Sequence, residues 1–161
     1  MLPLAHIGIS ILLASLLYIP VAGALIGSLA PDIVDKTLFV LGISPCSRFF
    51  AHSIFFGPLL ASAVFIATRR KDIAIAVLFG SYVHLLEDAM NFLPLLYPLM
   101  KYNFYCPPLT VEPSMVDIAI ECFGALLIPV TLALTPRIEY FRRFATSAFT
   151  KKSKVDGEKN E

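Results

Sequence analysis

Charge is what this sequence has least of. Of its 161 residues 16% are charged, against about a quarter in a soluble domain, while 57% are hydrophobic and the mean hydropathy is +0.76. Such a chain is neither a water-soluble globule nor a disordered polar segment. Tryptophan is absent and cysteine occurs three times, too few for a disulfide-rich secreted scaffold. With 12 prolines and long uncharged runs, a coiled coil is excluded as well. The formal net charge is +1, and the basic residues sit in blocks at segment ends, leaving no groove-like patch for nucleic acid. What remains is a small membrane protein, all-α, folded as one compact unit.

Three apolar stretches, residues 49–68, 72–100 and 115–135, reach the roughly 20 residues that a helix needs to cross a hydrocarbon core. The amino-terminal stretch from Met1 to Pro31 carries no charge beyond what His6 could bear, but Pro20 interrupts it. A secretory signal ending at Ser28-Leu29-Ala30 lacks a basic n-region and would leave Pro31 after the cut, so a retained membrane segment is expected. As one helix this stretch would set His6 about 39 Å from Asp32. Broken at Tyr18 to Val21, it becomes two arms, residues 4–18 and 21–30, that return His6 and Asp32 to one face. The predicted fold is therefore a polytopic membrane helical bundle with three full spans plus an amino-terminal re-entrant or kinked helical hairpin.

Lys and Arg accumulate in cytoplasmic loops. Arg69, Arg70 and Lys71 fill one short loop, and Arg137, Arg142, Arg143, Lys151, Lys152, Lys154 and Lys159 fill the tail. The other two loops, 31–48 and 101–114, hold Lys36, Arg48 and Lys101 and are expected to face outward. The expected organisation is a membrane domain over 1–135, followed at 136–161 by a basic juxtamembrane helix, lying on an anionic inner leaflet, and a disordered tail. Cys46 and Cys106 fall in the two outer loops, where a disulfide between them is sterically open; Cys122 lies inside a span.

The apolar stretches contain His52, His84, Glu87, Asp88, Asp117 and Glu121, and no Lys or Arg lies inside them. An ionised carboxylate at the bilayer centre costs about 2.5 to 3.5 kcal/mol. Such groups must be protonated, wetted by a cavity or bound to a metal. His84 and Asp88, four apart, share one helix face; Glu87 should point about 100° away. All three histidines fall within the first 88 residues, and Asp32 and Asp35 precede His52. A set of imidazoles and carboxylates suits zinc best, with manganese or ferrous iron as alternatives, and excludes an all-oxygen calcium site. Taken singly, each residue also has an ordinary role: His6 at the interface, Asp32 or Asp117 as a helix cap, His52 hydrogen-bonded to Ser53.

The ordered set His6, Gly27-Ser28-Leu29-Ala30-Pro31-Asp32, Arg48-Phe49-Phe50-Ala51-His52-Ser53 and His84-Leu85-Leu86-Glu87-Asp88 resembles the membrane-bound, metal-dependent hydrolases of bacteria and archaea. That family is in turn distantly similar to all-helical zinc phospholipases C and zinc nucleases. The resemblance covers residues 4–100 and implies His6, Asp32, His52, His84 and Asp88 as metal ligands. Asp35 stands three residues after Asp32, where the family often has an Asp at two, and Ala51 replaces a common Thr. Asp117 and Glu121 share the spacing of a later His-x-x-x-Glu in the soluble enzymes. These three acids join the set as candidates.

The function expected is hydrolysis of a phosphate ester or lipid-like substrate in the inner or plasma membrane, by water activated on a divalent metal. Asp32 or Asp88 would be ligand and also base, and Arg48 would either hold the substrate anion from the rim or anchor the chain at the interface. Membrane lipids are the expected surroundings, and no nucleic-acid partner is expected. The competing class is a non-enzymatic membrane protein that carries metal ions or protons, or that holds a structural metal.

Overall fold

The computed structural model describes residues 3–89, 92–104 and 114–135. Its regular elements among these residues are all helical, with α1 at Pro3–Leu16, α2 at Val21–Val40, a 3-10 turn at Phe50–His52, α3 at Phe56–Thr68, α4 at Lys71–Glu87 and α5 at Met115–Thr135. The proposed basic helix and tail at 136–161 lie outside the described residues, as does Cys106. Cys46 is disulfide-bonded and Cys122 is free.

The chain breaks where Pro20 predicts. Tyr18 adopts a left-handed conformation, φ 57°, and Pro20 stands at the N-cap of α2, so α1 and α2 form a hairpin. Its second arm is longer than expected: α2 runs past Pro31 to Val40. A proline inside a helix removes the bond to the carbonyl four residues back. Here that carbonyl belongs to Gly27, and Ser81 Oγ of α4 lies 3.2 Å from it, its one hydrogen shared between this carbonyl and that of Val77 at 3.0 Å. A neighbouring helix thus stabilises what the local sequence disfavours. Much of the expected 31–48 loop is consequently helix.

Of the three full spans expected, the described residues support one. α5, 21 residues long with a mean hydropathy of 2.0, is the one described helix long and apolar enough to cross a membrane, and only 11% of it is buried. The 49–68 stretch is helical over 13 residues, because its first part is pinned into a 3-10 turn by hydrogen bonds to Asp35. The 72–100 stretch is helical over residues 72–87, α4 beginning at Lys71, and then leaves the helix before Pro94 and Pro98. A second hairpin joins α3 to α4 through Arg69, which is left-handed at φ 57°.

Helix packing is dominated by α2 against α4. A Cβ built on Gly27 would lie 2.0 Å from the Val77 carbonyl oxygen, and one on Gly80 would lie 2.0 Å from that of Ala24. The two backbones touch, the close approach that small residues permit between membrane helices. A similar contact joins α1 to α5, where a Cβ on Gly124 would lie 2.3 Å from Ala5 Cα. Glu121 ties the same pair by accepting hydrogen bonds from the amides of Leu4 and Ala5, at 2.8 and 3.0 Å. These are free donors of the first turn of α1.

The interior is correspondingly polar. The largest fully buried side chains are His6, His52 and His84, with Asp35 and Asp88 among the next, whereas the buried apolar residues are mostly alanine and valine. Leu, Ile and Phe side chains of α5 face outward, Leu126 and Leu132 at 61% and 63% exposure. Gly80→Ala should therefore lower stability by about 1 to 3 kcal/mol, since its methyl would meet backbone that cannot swing aside. Thermal unfolding of detergent-solubilised protein measures this, and an unchanged midpoint would refute the backbone contact.

Candidate metal centre

Both hairpins turn at one end of the bundle, and the ionisable side chains gather at the other. His6 comes from the first turns of α1, Asp32, Asp35 and Lys36 from the second half of α2, Arg48 and His52 from the segment after it, and His84, Glu87 and Asp88 from the end of α4. Along α1, α2 and α4 the turns are about 18 to 27 Å from these residues.

Asp35 organises the segment that carries His52. Its carboxylate accepts from the backbone amides of Phe49 at 2.6 Å, Ala51 at 2.9 Å and His52 at 3.2 Å, and from His52 Nδ1 at 2.7 Å. Asp35 is fully buried and engaged on both oxygens. It orients an imidazole. The bond at Nδ1 leaves Nε2 of His52 as the nitrogen with a lone pair to offer. His6 is held in the same manner, with Nδ1 hydrogen-bonded to Glu87 Oε2 and Nε2 buried without a hydrogen-bond partner among the described residues.

His84 connects the two. Its ring stacks on that of His6, centroids 4.2 Å apart, and its Nε2 lies 3.3 Å from His52 Nε2. Its Nδ1 is buried without a hydrogen bond among the described residues. Asp32 Oδ1 and Asp88 Oδ2 stand 3.5 and 3.8 Å from His52 Nε2. The donor atoms of His6, Asp32 and His84 lie within 4.8 Å of one another, and so do those of His52, His84 and Asp88.

These donors fit a small divalent cation. Nitrogen ligands about 2.0 to 2.1 Å from a tetrahedral zinc are about 3.3 Å apart, which is the separation of the two Nε2 atoms. Imidazoles backed by carboxylates at Nδ1 are the usual outer arrangement of such sites. The charge balance agrees. With neutral imidazoles, the carboxylates of Asp32, Asp35, Glu87 and Asp88 outnumber the cations Lys36 and Arg48 by two.

Those two cations correct an expectation. The embedded acids are not without embedded counter-charge: Arg48 Nε donates to Asp88 Oδ2 at 2.8 Å, and Lys36 Nζ to Asp32 Oδ2 at 2.6 Å. Both come from the stretch preceding the first apolar span. Asp117 and Glu121 serve helix ends elsewhere. Asp117 and Ser114 form a reciprocal cap on α5, Asp117 N donating to Ser114 Oγ at 3.2 Å and Ser114 Oγ to Asp117 Oδ2 at 2.6 Å, while Glu121 caps α1. Glu87 is the residue that pattern reading set aside. It does leave the His84 and Asp88 face, and it meets His6 from a different helix, which no spacing within α4 could reveal. Lys36 had a signal, four residues after Asp32 on one helix face, hidden by the expectation that the helix ends at Pro31.

Fold and centre together define a helical membrane protein built around a buried histidine–carboxylate cluster. The chain belongs to the YdjM inner membrane protein family, whose model matches residues 1–148. This puts the protein in the inner membrane. No curated protein and no solved structure matches it.

Asp35→Asn should loosen the 49–52 segment, because the amide replaces one acceptor oxygen by a donor and removes the charge that strengthens these bonds, each worth about 1.5 to 3 kcal/mol. Amide hydrogen exchange at Phe49, Ala51 and His52 is expected to accelerate while that of α3 does not. Equal exchange before and after would deny Asp35 this role.

Proposed function

We propose that the protein is a membrane-embedded, metal-dependent hydrolase that cleaves a phosphate ester or lipid-like substrate at a centre taking one divalent cation, zinc by preference. The observation that carries this reading is the pairing of His52 with Asp35 and of His6 with Glu87, with His52 Nε2 beside His84, Asp32 and Asp88, and His6 grouped with His84 and Asp32 in the same buried cluster. His52, His84 and Asp88 would hold the ion, and His6 and Asp32 form with His84 the adjoining group of donors. When bound, a divalent cation supplies Lewis-acid polarisation of the scissile group and brings the pKa of water to about 7.

The chain's own contribution is orientation and proton handling. Asp35 and Glu87 keep the imidazoles in the tautomer that presents Nε2. Asp32, the least enclosed carboxylate of the cluster at 12% side-chain exposure, has Oδ2 on Lys36 and Oδ1 turned toward His52, and Oδ1 is the atom placed to accept a proton. Passage of ions or protons across the bilayer is the less favoured role. It calls for polar groups through the whole depth, and residues 7–16, 21–31, 56–68 and 73–83 contain no acidic, basic or histidine side chain.

Metal analysis of detergent-purified protein, with a panel of phosphomonoester, phosphodiester and lipid substrates, tests the reading. Wild type should retain zinc and hydrolyse a panel member; His84→Ala and Asp88→Ala should lose most of the metal; Glu87→Ala should weaken its binding about 10- to 100-fold. A metal-free wild type that binds none on addition refutes it.

The centre belongs to the outer side in this proposal, because Arg69, Arg70 and Lys71 lie at the opposite end of the bundle. Single cysteines at positions 36 and 70, in an otherwise cysteine-free chain in intact cells, should differ toward an impermeant thiol reagent, with position 36 labelled. Labelling of position 70 alone reverses the orientation.

A further inference from the structure

Two cationic side chains stand between the buried centre and its surroundings. Lys36 and Arg48 are 43% and 29% exposed, while the carboxylates they contact, Asp32 and Asp88, are 12% and 0% exposed. Those carboxylates flank one atom, His52 Nε2, at 3.5 and 3.8 Å. Each cation is thus one carboxylate removed from the same imidazole nitrogen, and each is more exposed than the carboxylate it contacts. Neither is used up there. Arg48 donates through Nε alone, its two terminal nitrogens having no hydrogen-bond partner among the described residues, and Lys36 commits a single N–H.

We propose that Lys36 and Arg48 form an anion clamp for a terminal phosphoryl group, so that the substrate is a phosphomonoester. This rests on the hydrolase reading and narrows it. A divalent cation in the centre competes with the ammonium and the guanidinium for the same carboxylate oxygens. Their attraction to Asp32 and Asp88 falls, and their donors become available to an incoming anion. A guanidinium grips two phosphoryl oxygens through its planar fork, and an ammonium adds a point charge. A phosphomonoester offers three unesterified oxygens, enough for the fork and the ammonium together, whereas a diester offers two. The plainer role for both side chains is as counter-ions to the acids, and the two roles separate experimentally.

The test uses zinc-loaded full-length protein in detergent, with zinc content measured for every variant. Binding of inorganic phosphate, glycerol 3-phosphate, a short-chain phosphatidic acid and dimethyl phosphate is followed by calorimetry. Wild type should bind the first three and take dimethyl phosphate more weakly. Lys36→Met and Arg48→Met should keep their zinc and lose about tenfold or more in affinity for phosphate and both monoesters. Should Arg48→Met not fold, Arg48→Lys, which keeps a charge beside Asp88 but lacks the fork, is expected to show the same loss. A preference for phosphatidic acid over glycerol 3-phosphate would assign the phosphoryl group to a lipid headgroup, and equal binding to a soluble ester. Variants that keep both zinc and wild-type phosphate affinity would make the residues counter-ions only and overturn the clamp. Zinc-loaded wild type that ignores phosphate would overturn it while leaving the metal centre standing; a wild type that takes no zinc would overturn both.

Discussion

The contact of two helix backbones is the constraint on which the rest of this structure depends. α2 and α4 approach until the positions of Gly27 and Gly80 have no room for a single methyl group. In a membrane, where lipid is as apolar as any side chain, helices gain little by hiding Leu or Ile from it, and close packing with interhelical hydrogen bonds takes over. The crossing brings Ser81 against the carbonyl that Pro31 leaves free, which lets α2 continue to Lys36. It also brings the second half of α2 beside the end of α4. Asp32 and Asp35 then share a space with His84 and Asp88.

The polar interior follows from that geometry. Small residues line the helix contacts, bulky apolar residues turn outward, and the buried volume is left to imidazoles and carboxylates. A buried charge without compensation is expensive, and this chain meets the cost in three ways. Asp35 gathers backbone amides as well as an imidazole. Asp32 and Asp88 take partners from Lys36 and Arg48, and Glu87 pairs with His6. With the imidazoles neutral, these carboxylates outnumber the two cations by two.

Several features were legible without coordinates because they depend on local chemistry. Low charge and long apolar runs place the chain in a membrane. Pro20 breaks the first segment, since its ring blocks a continuing helix. His84 and Asp88 stack because four residues make about one turn. Helix length was misread for the opposite reason. Hydropathy sees residues 49–55 and 88–100 as continuations of spans, although Asp35 draws the first into a 3-10 turn and the second leaves α4 ahead of two prolines.

The sequence by itself determined a membrane-embedded helical chain with an amino-terminal break and an ordered series of His and Asp residues, because composition, proline stereochemistry and helical periodicity act over a few residues. Tertiary structure alone decided which acids hold histidines and which cap helices. Glu87 meets His6 across 81 positions, and Glu121 reaches the start of α1 across 117. Such pairings are set by which backbones can touch, and within a single helix their residue spacing carries no trace of the partner.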